Sequence, residues 1–89
     1  MADLFDEASR GEKARVILES AIFKDAIAKT QQRVFDDFAS TDPSDIEKLR
    51  ECRLMLRASA EFVRELVAVM NTGKLAAAQI EESRPKGNS

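Results

Sequence analysis

Ser40-Thr41-Asp42-Pro43-Ser44-Asp45 interrupts two long helical patterns and reads as a tight helix-to-helix turn. Asp42 followed by Pro43 has the chemistry of an N-cap followed by a first-turn proline, whose missing N–H is an orphan at that position in any case. Asp45 then falls in the first turn, where a carboxylate meets the positive end of the helix dipole. A second register places the cap at Ser44 with Glu47 three residues on, forming a capping box. In either register Pro43 disfavours the α region for its predecessor, so the preceding helix ends by about Ser40 or Thr41.

Upstream of the turn, the chain reads as one helix beginning near Arg10, where Ser9 and Glu12 have capping-box spacing. Val16, Phe23, Ile27, Thr30, Val34 and Phe38 fall on one stripe, wider than a single partner helix needs once neighbouring alanines and Phe35 are included. Asp25, Lys29, Gln32, Arg33, Asp36 and Asp37 form a solvated face, which Leu18, Ile22 and Ala26 invade at spacing i, i+4, i+8. Those three form a candidate partner patch. Residues 1–10 form a flexible or short helical segment in which Leu4 and Phe5 sit between Asp3 and Asp6-Glu7. That pattern suits either a tail folded over the hairpin end or a short acidic-hydrophobic docking motif.

Downstream, a second helix runs from about Pro43 to Asn71, with Ile46, Leu49, Cys52, Met55, Leu56, Phe62, Val63, Leu66, Val67, Val69 and Met70 covering half its circumference. Arg50, Arg53, Arg57 and Arg64 align in a narrow strip beside Glu47, Glu61 and Glu65. The strip reads as a salt-bridged, solvated face, with Arg57–Glu61 and Glu61–Arg64 as i,i+4 and i,i+3 pairs, or as a polyanion contact. Asn71-Thr72-Gly73 is a helix stop with Gly73 suited to the left-handed C′ position. Lys74 to Glu82 is then a short third helix or a continuation across Gly73, and 83–89, without an apolar residue, reads as a disordered tail. The domain is thus residues 11–82.

Composition bounds what such a chain does. Eighty-nine residues make one small domain, and the absence of Trp and Tyr with abundant Ala, Leu, Glu, Lys and Arg indicates an all-α chain. Fourteen basic and sixteen acidic side chains give a net charge of −2, which signals no polyanion or polycation partner by itself. The single Cys52 lies in an apolar stripe and reads as a small buried hydrophobe. Without histidine, with Asp36-Asp37 and Glu81-Glu82 pointing apart as adjacent residues, and with no Glu-x-x-His, no catalytic, cofactor or metal site is expected. No apolar run reaches a membrane span, and the acidic start is the reverse of a signal peptide; a soluble, cytoplasmic protein is expected.

Two helices of about 28 to 30 residues make an antiparallel hairpin about 45 Å long at 1.5 Å per residue. Each helix carries more apolar face than one neighbour covers, so the hairpin is expected to complete its core as a homo-oligomer, simplest as a two-fold helical bundle. The interface residues read this way are Phe23, Ile27, Val34, Phe38, Met55, Phe62, Leu66 and Met70.

The stretch from Asp45 to Lys74, DIEKLRECRLMLRASAEFVRELVAVMNTGK, with the FDDFASTDPSD turn before it, resembles small helical-hairpin proteins encoded among the structural and packaging genes of tailed bacteriophages. The resemblance implies an oligomeric, non-enzymatic assembly or adaptor role, in host cytoplasm or virion, with a protein partner. The alternative is a nucleic-acid-binding module, similar in outline to the small subunit of a packaging terminase, that arrays the Arg50/Arg53/Arg57/Arg64 strip. Interleaved glutamates and the negative net charge weigh against it.

Overall fold

The computed structural model describes residues 3–84, and these form three helices and no strand: α1 (Leu4–Glu19), α2 (Ala21–Ser40) and α3 (Ile46–Ser83). The all-α class follows from the composition, but three boundaries differ from those the residues suggested.

The first difference is at Ser20, where the expected single helix from Arg10 to Ser40 breaks. Ser20 has an extended backbone (φ −63°, ψ 128°), and its Oγ accepts a hydrogen bond from the Phe23 N–H at 3.3 Å. Serine offers the backbone this local alternative to helix continuation, and here the alternative wins. The same kind of cap starts α1 earlier than Ser9: Asp3 Oδ1 accepts from the Phe5 N–H at 3.0 Å, and the Asp3 carbonyl accepts from the Glu7 N–H at 2.9 Å. Glu12 is not a capping-box partner but is paired with Arg15.

The second difference is in the turn. Neither Asp42 nor Ser44 is the helix cap; Asp45 is, with its Oδ1 accepting from the Lys48 N–H at 3.1 Å. Asp42 to Asp45 instead form a β-turn, closed by the Asp45 N–H donating to the Asp42 carbonyl at 2.9 Å, with Pro43 in the second position. The Asp42 carboxylate accepts from the Ser44 N–H at 2.8 Å and from the Ser44 hydroxyl at 2.7 Å. Aspartate then proline is as suited to the first two places of a turn as to a helix start, and the side-chain bonds to Ser44 favour the turn. The preceding helix ends at Ser40, and Thr41 closes it with its N–H on the Phe38 carbonyl.

The third difference is Gly73. It does not stop the helix, no described glycine has positive φ, and α3 continues without interruption to Ser83. The separate short C-terminal helix is therefore the last part of α3. Of the expected tail, Arg84 is tied back by its N–H to the Glu81 carbonyl and by its guanidinium to the Glu81 carboxylate, and 85–89 lie outside the described residues.

The chain divides into two compact units. One, Glu19–Arg64, is the helical hairpin of α2 and the beginning of α3. Val34 and Cys52 form its buried centre, each 4% exposed. The Phe23 and Phe62 rings meet far from the turn with centroids 6.2 Å apart and planes tilted by 43°. Near the turn, Phe38 stands beside Ile46 and Leu49.

The other unit comprises residues up to Leu18 together with those from Glu65 on, and packs α1 against the later part of α3. Its helices meet backbone to backbone. A Cβ on Gly11 would lie 2.6 Å from Gly73 Cα, and one on Gly73 would lie 2.5 Å from Gly11 Cα and 2.9 Å from the Glu7 carbonyl oxygen. One turn further along each helix, Ala14 and Ala76 are also closed in, at 3% and 1% exposure. A mid-helix glycine costs about 1 kcal/mol relative to alanine, so two of them facing each other trade helix propensity for close approach.

This trade gives a prediction whose sign is diagnostic. Gly73→Ala adds helix propensity but places a methyl group against backbone, where no side chain can yield. Overpacking of this kind costs about 1–3 kcal/mol, so the substitution is expected to lower the urea midpoint followed by circular dichroism. A raised midpoint would mean that the two helices do not meet at the glycines. A second prediction concerns acid. The hydrogen bonds from the Ser44 hydroxyl and N–H hold the Asp42 carboxyl below its ordinary value of 3.8. A depressed carboxyl contributes stability above its unfolded value and loses it as pH falls through the folded one. Asp42→Ala should therefore flatten the acid limb of the stability curve below about pH 4, with the wild-type limb steeper.

Candidate interaction surfaces

The buried apolar side chains among the described residues, Ala14, Val34, Cys52 and Ala76, are all small or medium in size. The large ones remain outside. Ile22 is 83% exposed, Phe5 and Leu75 are 67%, and Ile46, Leu54, Met55 and Phe62 are 57–59%. Single exposed hydrophobics are ordinary, but such a concentration on helices marks surface that wants cover.

The eight residues expected at an oligomer interface fall into three groups. Val34 is closed inside the hairpin and is not available as surface. Phe23, Ile27, Leu66 and Met70 are half-buried, while Phe38, Met55 and Phe62 are exposed. Met55 and Phe62 are seven residues apart, two turns of α3, so they share one flank of the helix. The partner patch expected from Leu18, Ile22 and Ala26 depended on one continuous helix. The break at Ser20 puts Leu18 on α1 and the other two on α2, where both are exposed.

Arg50, Arg53, Arg57 and Arg64 are all exposed on α3. Glu61 pairs with Arg64 at 3.1 Å, but Arg57 makes no pair with it. Arg50 and Arg53 likewise have no ion-pair partner among the described residues. The polar face of α2 is as expected, with Lys29 on Asp25 at 3.1 Å and Gln32 on Asp36 at 2.9 Å. At the turn end, Phe38, Ile46 and Leu49 line a groove of about 310 Å³ whose remaining lining is Arg50 and Arg53. Beside the glycine crossing are two hollows of about 180 and 100 Å³, smaller than the roughly 300 Å³ at which ligand pockets begin.

No three His, Cys, Asp or Glu side chains among the described residues stand together as a metal-binding group. No described helix is long and apolar enough to cross a membrane. The Glu12 carboxyl is held below its ordinary range by its hydrogen bond with the Arg15 guanidinium.

Residue-by-residue periodicity did not identify the glycine crossing or the groove. The crossing did leave a signal: Gly11 and Ala14 repeat the i, i+3 spacing of Gly73 and Ala76. The groove left none, because it is made by residues from both sides of the turn. Neither a family model, nor a curated protein, nor a solved structure matches the chain.

The exposed Phe62 gives a prediction that separates surface from core. Phe62→Ala in a fully buried site would cost about 3–5 kcal/mol. Here, with only the Phe23 ring contact and partial burial to lose, the cost in dilute protein is expected to be about 1–1.5 kcal/mol. Denaturation at low concentration measures it, and a loss in the full core range would show that Phe62 is buried in the working form of the single chain.

Proposed function

We propose that this protein is a non-enzymatic helical assembly or adaptor component that associates with copies of itself through the apolar flanks of its helices and uses the remainder to hold a protein partner. The exposure of Met55 and Phe62, each 57%, on one flank of α3 carries this reading. Burying a large apolar side chain is worth about 1.5–3 kcal/mol, and much of that is unrealised at the exposed positions. In this reading the Asp45–Lys74 stretch belongs with the small tailed-phage structural and packaging proteins that its sequence resembles.

Light scattering across a concentration series, with helicity followed alongside, tests it. A dimer or larger species whose helicity falls on dilution is expected, and Met55→Glu with Phe62→Glu should reduce it to monomer. A folded monomer at every concentration would contradict the reading.

The second reading is a polyanion contact, favoured by Arg50, Arg53 and Arg57 lying along one strip with no ion-pair partner among the described residues. Affinity for duplex DNA would then fall steeply with salt, and Arg53→Ala with Arg57→Ala would abolish it at unchanged helicity. Unchanged binding in that variant removes this reading.

A further inference from the structure

The groove at the turn joins two features that the faces above use only separately. Its floor is Phe38, Ile46 and Leu49, with Phe38 47% and Ile46 59% exposed and Leu49 half-buried. Its remaining lining residues are Arg50 and Arg53, with no carboxylate among them. Neither arginine has an ion-pair partner among the described residues, and Arg57, one turn further along α3, has none either. A positive edge thus borders an uncovered apolar floor.

The groove also lies apart from the flank that carries self-association. The buried Cys52 marks the direction of the hairpin seam. At about 100° per residue, Met55 and Phe62 lie about 60–80° to one side of it, while Leu49, Arg53, Ile46, Arg57 and Arg50 lie about 60–160° to the other. Copies joined through Met55 and Phe62 therefore leave the groove open.

Chemistry selects the occupant. A phosphate backbone meets the arginines but sets charge over the apolar floor. Stacked bases need ring faces, and two of the three floor side chains are aliphatic. A helix that bears large apolar side chains beside a row of Asp or Glu satisfies both parts, in the manner of an amphipathic helix laid in a groove. Arg50, Arg53 and Arg57 recur at i, i+3 and i+7, so they face successive turns of a helix lying alongside. Their guanidinium forks match carboxylates in geometry as well as charge.

We propose, resting on the partner-holding part of the function above, that this groove docks an acidic amphipathic helix of a different protein. Its large apolar side chains cover Phe38, Ile46 and Leu49, and its carboxylates meet Arg50, Arg53 and Arg57. The apolar side chains supply the burial, and the carboxylates fix the orientation and make the contact weaken with salt.

The test titrates the full chain into a fluorescein-labelled peptide of about 18 residues, long enough to form helix, with a heptad stripe of leucines flanked by glutamates. Anisotropy reads binding, light scattering of the same samples reads self-association, and circular dichroism checks each variant. Arg50→Glu with Arg53→Glu should weaken peptide binding about tenfold or more, as should serine in place of the peptide leucines. A peptide with lysine in place of glutamate should bind the reversed groove variant better than wild type, a result a merely misfolded variant cannot give. Absence of binding by the acidic peptide, or equal binding to wild type and the groove variant, would overturn the docking, and associated wild type in those samples would leave self-association standing. Tighter binding of single-stranded oligothymidylate through the same two arginines would overturn it in favour of a nucleic-acid contact. Peptide bound in the groove of a chain that stays monomeric would uphold the docking and remove self-association.

Discussion

An imbalance in burial governs the structure: among the described residues the buried apolar side chains are Ala14, Val34, Cys52 and Ala76, while four of the five phenylalanines keep about half of their surface or more. Small side chains let helices approach but contribute little transfer free energy, at about 25 cal/mol per Å² of apolar area removed from water. Each helix therefore meets its neighbour along a narrow seam and keeps apolar flanks outside that seam. Those flanks are where further stabilisation is available, and they direct the functional reading toward association.

The two seams reach close contact by different means. In the hairpin unit, a valine, a cysteine and a tilted phenylalanine pair fill the space between α2 and α3. In the other unit the seam closes at Gly11 and Gly73, where the backbones themselves touch, with only small side chains such as Ala14 and Ala76 beside them. Both glycines lie inside helices, where their backbone freedom is a cost, and the close approach is what offsets it. Gly73 shows how one residue type supports two opposite readings. A glycine after an amphipathic run is a good helix stop when it can turn left-handed, and a good helix-crossing residue when another backbone lies against it.

That ambiguity marks the limit of what the residues alone could show. The all-α class, the turn between Ser40 and Ile46 and the solvated face of α2 were legible, since each depends on local pattern or composition. The break at Ser20 was not, because a serine within an alanine-rich apolar pattern costs a helix little. Its Oγ bond to Phe23 decided the boundary. The cap at Asp45 was hidden for a related reason: Asp42, Ser44 and Asp45 can all cap, and only the β-turn around Pro43 selects among them. Of the candidate surfaces, the arginine strip was legible as a register on one helix. The groove required Phe38 from before the turn and Ile46 from after it to be placed together.

The central claim is that the apolar flank of α3 is covered in the working protein. Hydroxyl-radical footprinting of Met55 and Phe62, carried out at low and high protein concentration, reads that cover directly at the two side chains. If copies associate through this flank, oxidation of both residues falls as concentration rises, while the side chains of the solvated face of α2 react at a constant rate. If Met55 and Phe62 stay equally reactive at every concentration, the flank is bare in solution and self-association through it is wrong.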